Sequence, residues 1–91
     1  MAHNFSGPNT SGRYQFEVEG HTAFASYHNI DGVIAITHTE VPSALREQGV
    51  GSRMVVAMLD DIRAQKLKAR PVCSFARFVV AQHPEYRDLL S

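Results

Sequence analysis

The stretch Arg46-Glu47-Gln48-Gly49-Val50-Gly51-Ser52 is the first place where residue types and spacing in this chain suggest chemistry. Its two glycines, one residue apart, sit between a strand-like segment and a segment of helical period. Glycine lets the backbone turn sharply and lets a ligand approach the main chain closely. The first N–H groups of a helix have no internal acceptor and lie at the positive end of its dipole. Together these features make an anion site suited to a phosphate or pyrophosphate. A tight turn packed against a sheet would ask for the same two glycines, so spacing alone leaves both readings open. No Gly-Lys-Ser/Thr follows, and the three-glycine dinucleotide fingerprint is missing.

Three further side chains flank this loop. His38 and Glu40 precede it on a strand-like segment, where alternation gives them the same parity, and Cys73 follows the helical segment. In open α/β sheets, ligands bind beyond the carboxyl ends of parallel strands, so all three are expected near the loop. A histidine beside a cysteine can lower the thiol pKa and make thiolate available. Against that, a lone cysteine is most often a small buried hydrophobe, a lone strand histidine is often structural, and Glu40 reads equally as a solvated strand end. His21, His28 and His83 have no metal-ligand spacing, so no metal site is expected.

These residues need elements to position them. Residues 13–19 alternate, with Tyr14, Phe16 and Val18 on one face and Gln15 and Glu17 on the other, which predicts a strand. A second strand is expected over residues 22–29 and a third over 33–41, joined by the hairpin signal Asp31-Gly32. Pro42 has no N–H to give a ladder and stops it. Val50, Met54, Val55, Met58, Leu59 and Ile62 then recur at helical spacing, predicting an amphipathic helix over residues 51–65. A fourth strand is expected over residues 69–75, at an edge or splayed because it holds Pro71. A short helix over 76–82 and a last helical turn from Pro84 to Leu90 close the chain. The fold class is α/β with a mixed sheet: an antiparallel three-strand meander, then a βαβ crossover that makes the fourth strand parallel to the third. Residues 1–12, rich in Ser, Gly, Asn and Pro, read as a flexible leader, and residues 13–91 as one domain.

Arg46-x-x-Gly49-x-Gly51, set between a strand and an amphipathic helix, resembles the Arg/Gln-x-x-Gly-x-Gly/Ala signature of the GNAT superfamily of acetyltransferases. His38-Thr39-Glu40-Val41-Pro42 before it, Cys73-Ser74-Phe75 after the helix, and the terminal His83-Pro84-Glu85-Tyr86 are similar to a minimal, single-domain branch of that superfamily. The resemblance runs from about Tyr14 to Leu90 and implies a truncated GNAT fold. It further implies an N-acetyltransferase in which main-chain amides of Glu47, Gln48, Gly49, Val50, Gly51 and Ser52 cradle the pyrophosphate of acetyl-coenzyme A, with the pantetheine arm beside Val41. Glu47 is a misfit there, since a carboxylate beside phosphates repels them unless it points to solvent. Minimal members carry the His and Cys as a proposed catalytic pair, which transfers to His38 and Cys73. Direct attack of the amine on the thioester, with His38 or Glu40 as general base, is the alternative and the more usual GNAT chemistry. The N-terminal helices of a standard GNAT enzyme, which form much of the acceptor site, are not expected in residues 1–91, where strands start directly after the leader. That leaves the amine acceptor, small molecule or protein, unspecified. A non-catalytic acyl-CoA-binding module that senses the cofactor is the competing function.

Bulk properties narrow the rest. In 91 residues, nine Lys and Arg balance nine Asp and Glu, so the broad electrostatic attraction on which non-specific nucleic-acid binding depends is missing. No apolar run approaches the roughly 20 residues that span a bilayer, and the first residues lack a signal-peptide core. One cysteine excludes an internal disulfide framework. A cytoplasmic protein without nucleic-acid or membrane partners, monomeric or weakly dimeric, is the expectation.

Overall fold

The computed structural model describes Phe5 and residues 7–91. Four strands form one sheet in the order β1-β2-β3-β4: β1 (Thr10–Val18), β2 (His21–Ile30), β3 (Val33–Glu40) and β4 (Lys68–Pro71). The first three pair antiparallel and β4 pairs parallel with β3, from Val33↔Lys68 to Ile36↔Pro71. This is the mixed sheet of a truncated GNAT fold. β4 lies at the edge, where the missing N–H of Pro71 costs no ladder bond. Beyond it the main chain leaves the sheet, with both Val72 N–H and Cys73 N–H donating to the Ile36 carbonyl.

Helix α1 (Val50–Ala64) crosses from β3 to β4, and α2 (Ser74–Gln82) follows β4. All six apolar residues of the periodic stripe are fully buried on α1 against Tyr14, Ala23, Ala25, Tyr27, Ile34 and Ile36 of the sheet. At about 1.5–3 kcal/mol for each fully buried side chain, this contact dominates the fold's stability. The C-terminal 3-10 helix Pro84–Leu89 is tied onto α1 by polar contacts. Arg63 donates to both oxygens of Asp88 at 2.8 and 3.0 Å and to the Glu85 carbonyl, and the Tyr86 hydroxyl donates to Asp60.

The largest departures from the sequence reading are three, the other element ends shifting by one or two residues. The first strand starts at Thr10 rather than residue 13, and Phe5 is buried, its ring 5.7 Å from Tyr14 and 4.7 Å from Tyr27. One aromatic residue in a polar stretch carries no period, so only the packing reveals it. Ser43–Gln48, for which no element was expected, is a 3-10 helix that buries Leu45. The fourth strand ends at Pro71 instead of reaching residue 75, because the residues after Pro71 turn to start α2.

Candidate active site

The site is built around one irregularity in the sheet. From Ile30↔Val33 to Tyr27↔Ile36 the β2–β3 register is regular, but the next pair is Ser26↔His38. Thr37 is therefore an extra residue on β3, a β-bulge, and its hydroxyl donates to the Ser26 carbonyl. A bulge reverses the parity of everything after it. Ile34 and Ile36 face the core, so uninterrupted alternation would bury His38 and Glu40 as well. After the bulge, Thr39 pairs with Ala25 of the buried face, while His38 and Glu40 stand opposite Ser26 and Phe24 on the face that no helix covers. There His38 Nε2 and Glu40 Oε1 are 3.1 Å apart, with side chains 59% and 60% exposed. The shared parity expected of these two residues holds, but on the opposite face from the one a plain strand would give.

Next to this pair opens a cleft of about 790 Å³. Thr22, Phe24, His38 and Glu40 form one end, Arg46, Gly49, Gly51 and Ser52 the other, and Thr39, Val41, Pro42 and Phe75 the walls between. Of the residues expected to hold the cofactor, Val41, Arg46, Gly49, Gly51 and Ser52 line it. Glu47, Gln48 and Val50 do not. Val50 is wholly buried in the core, Gln48 donates back to the Ala44 carbonyl, and Glu47 is exposed outside the cleft. This placement removes the carboxylate that looked misplaced beside phosphates. Glu47 and Gln48 close the 3-10 turn, where backbone amides are committed to i→i+3 bonds, so the uncommitted amides are those that open α1.

The two glycines are required for different reasons. Gly49 has φ +70° and serves both as C-cap of the 3-10 helix and N-cap of α1. A Cβ there would meet nothing within 4 Å, so the conformation, not crowding, selects glycine. At Gly51 a Cβ would lie 2.9 Å from Cζ of Phe75 and 3.1 Å from Cγ2 of Val41. Here the constraint is contact with the cleft wall. The free amides, the open space above Gly49 and the Arg46 cation together fit a pyrophosphate. Arg46 Nε also donates to the Val41 carbonyl at 3.0 Å, so any ligand N–H pairing with that carbonyl would share it with the guanidinium.

Cys73 is placed differently from expectation. It is not on a strand but is the N-cap of α2, where its sulfur accepts from the Ala76 N–H at 3.3 Å. Sγ also lies 3.9 Å from Thr39 Oγ1, on the core side of β3, and Cys73 is not among the cleft-lining residues. The bulge thus sends His38 to one face of the sheet and the thiol's neighbour Thr39 to the other. Sequence reasoning missed Thr22, Phe24, Thr39, Pro42 and Phe75 as cleft residues. Phe75 was legible as the aromatic of the Cys-Ser-aromatic motif, whereas Thr22 and Phe24 join the site only through the shifted register. Among the described residues no cluster of three His, Cys, Asp or Glu could hold a metal, and no helix is long and apolar enough to cross a membrane.

The fold is that of a truncated GNAT-type α/β domain, and comparison with known proteins agrees. The model of the GCN5-related N-acetyltransferase family matches residues 13–89, and the chain belongs to that family. Similar curated proteins are Protein NATD1 of Gallus gallus and of Mus musculus, each 33% identical over 52 residues that cover 57% of this chain and 47% of the relative. Protein NATD1 of Homo sapiens is likewise 33% identical over 52 residues. The chain spans about half the length of the curated relatives it matches.

Proposed function

We propose that this protein binds acetyl-coenzyme A in the cleft and transfers the acetyl group to an amine. The observation that carries this reading is that one continuous cleft joins an anion-binding helix start to a histidine–carboxylate pair on an open face. Gly51 and Ser52 amides and Arg46 hold the pyrophosphate, and Val41 orients the pantetheine arm. Acetyl-coenzyme A supplies an acetyl group activated as a thioester. Transfer forms the amide C–N bond, breaks the thioester C–S bond and releases coenzyme A as the thiolate, which becomes the free thiol on taking up the one proton that the neutral amine gives up. His38 receives that proton. A carboxylate can only accept, so with Nε2–H donated to Glu40 the neutral ring presents its lone pair at Nδ1.

Direct attack fits this arrangement better than an acetyl-cysteine intermediate. The Cys73 sulfur is engaged as a helix cap, and its polar neighbours are Thr39 and Ala76 rather than His38. The test is a thermal melt with acetyl-coenzyme A beside a transfer assay on a panel of amines, using wild type and His38→Ala. The variant should bind within a few-fold and lose roughly 10²–10⁴-fold in rate, the contribution of a positioned base. His38 is exposed, so its truncation opens no core cavity and the variant should stay folded. Stabilisation by acetyl-coenzyme A with no transfer to any amine would favour a sensing module instead.

A further inference from the structure

We infer that the acceptor is a primary amine that carries a second positive charge, recognised by Phe24 and Glu40 at the end of the cleft away from the helix start; this rests on the transferase reading above. The two ends of the cleft differ in charge. Arg46 stands at one end, with the amides of α1, and Glu40 is the acidic residue at the other. Glu40 engages His38 through Oε1 alone, and its Oε2 has no protein partner among the described residues. Phe24 pairs directly with Glu40 across β2 and β3, and its ring lies 6.1 Å from the His38 ring. A cation at Phe24 therefore meets an aromatic face with a carboxylate on the neighbouring strand, next to the group that takes the amine's proton.

That this ring attracts a cation is visible in the chain itself. The Arg13 guanidinium lies 4.2 Å from the Phe24 centroid, although Arg13 forms no ion pair among the described residues. Ring and guanidinium meet on the uncovered face, without a carboxylate to hold the arginine there. An aromatic ring attracts a cation through its negative face, whether a guanidinium or an ammonium. Arg13 thus stands in for the distal cation of the acceptor and competes with it. A second amine reaching Phe24 and Glu40 would leave the first near His38, where it loses its proton and attacks. An acceptor carrying a carboxylate at the same distance would meet Glu40 and be repelled.

The test varies only the distal group: 1,4-diaminobutane, 4-amino-1-butanol and 4-aminobutanoate as acceptors at fixed acetyl-coenzyme A, with the dipeptide Lys-Lys as a peptide source of the same chemistry. Counted per amine, kcat/KM should fall in that order, the diamine exceeding the amino alcohol by roughly two- to tenfold, in the range of a cation–π contact with a nearby carboxylate. Preference for Lys-Lys over the diamine would assign the chemistry to peptide lysines, and the reverse to small polyamines. Phe24→Leu should raise KM for the diamine and shrink the preference, while acetyl-coenzyme A still stabilises the protein thermally. Arg13→Ala should lower KM for the diamine by about two- to fivefold, because the competing cation is gone. Equal use of diamine and amino alcohol, or an undiminished preference in Phe24→Leu, would overturn the inference and leave the transferase reading intact. Should no amine be acetylated, an NMR titration of the protein with 1,4-diaminobutane decides the matter. Shifts centred on Phe24, Ser26 and His38, absent with uncharged 1,4-butanediol, support the cation site, and their absence refutes it.

Discussion

Substituting Gly51 by alanine tests whether the second glycine of the Arg-x-x-Gly-x-Gly signature is held by packing. The new Cβ would stand 2.9 and 3.1 Å from Cζ and Cε2 of Phe75 and 3.1 Å from Cγ2 of Val41, each well inside the roughly 3.5–4.0 Å at which carbons attract. Overpacking of this kind costs about 1–3 kcal/mol. Opposing it, alanine is favoured over glycine by about 1 kcal/mol in a helix interior, and by less in the first turn, where Gly51 sits. The net is a destabilisation of about 1 kcal/mol, or a Tm lower by about 4–8 °C for a domain of this size. Phe75→Ala removes the ring that the Cβ would strike, so in that background Gly51→Ala should become nearly neutral. Urea unfolding of the four proteins, followed by circular dichroism, reads this as a coupling of about 1–2 kcal/mol between the two sites. Additive effects would show that Phe75 does not select glycine at this position and that the crowding argument is wrong.

Three other predictions follow from the same geometry. Gly49→Asp should leave the protein folded, because the site has open space and aspartate tolerates positive φ, yet a melt should show no stabilisation by acetyl-coenzyme A once a carboxylate stands where the phosphates bind. Cys73→Ala should keep transfer within a few-fold while costing about 1 kcal/mol through loss of the N-cap acceptor for Ala76; an acetyl adduct on Cys73 in an intact-mass spectrum, with activity lost in the variant, would reverse this. Tyr86 is pushed up to about 12 by its hydrogen bond to Asp60 and by burial, and Tyr14 to about 12 by burial and the nearby Asp61 and Asp60. Raised folded-state values mean that this stability is complete below pH 10 and is lost as pH climbs towards 12, so Tm should fall across that window in wild type and fall less in Tyr86→Phe.

Much of this architecture is written locally in the chain. The α1 stripe from Val50 to Ile62, the Asp31-Gly32 hairpin and the ladder stop at Pro42 each follow from a period or a backbone restriction that neighbouring residues set. The anion-binding character of Gly49 to Ser52 is equally local, since it comes from main-chain amides at a helix start. What only the tertiary structure decided is which face each chemical side chain occupies. Strand alternation gave His38 and Glu40 the parity of Ile34 and Ile36, which are buried. A single extra residue, Thr37, reverses that parity, and nothing in its local sequence marks a bulge. The pairing of β2 with β3 places it there, since the register slips only between Ser26 and Tyr27. The same slip brings Phe24 beside Glu40 and directs Thr39, with Cys73, to the core side. The period-2 rule holds along a continuous ladder, and one unpaired residue restarts it.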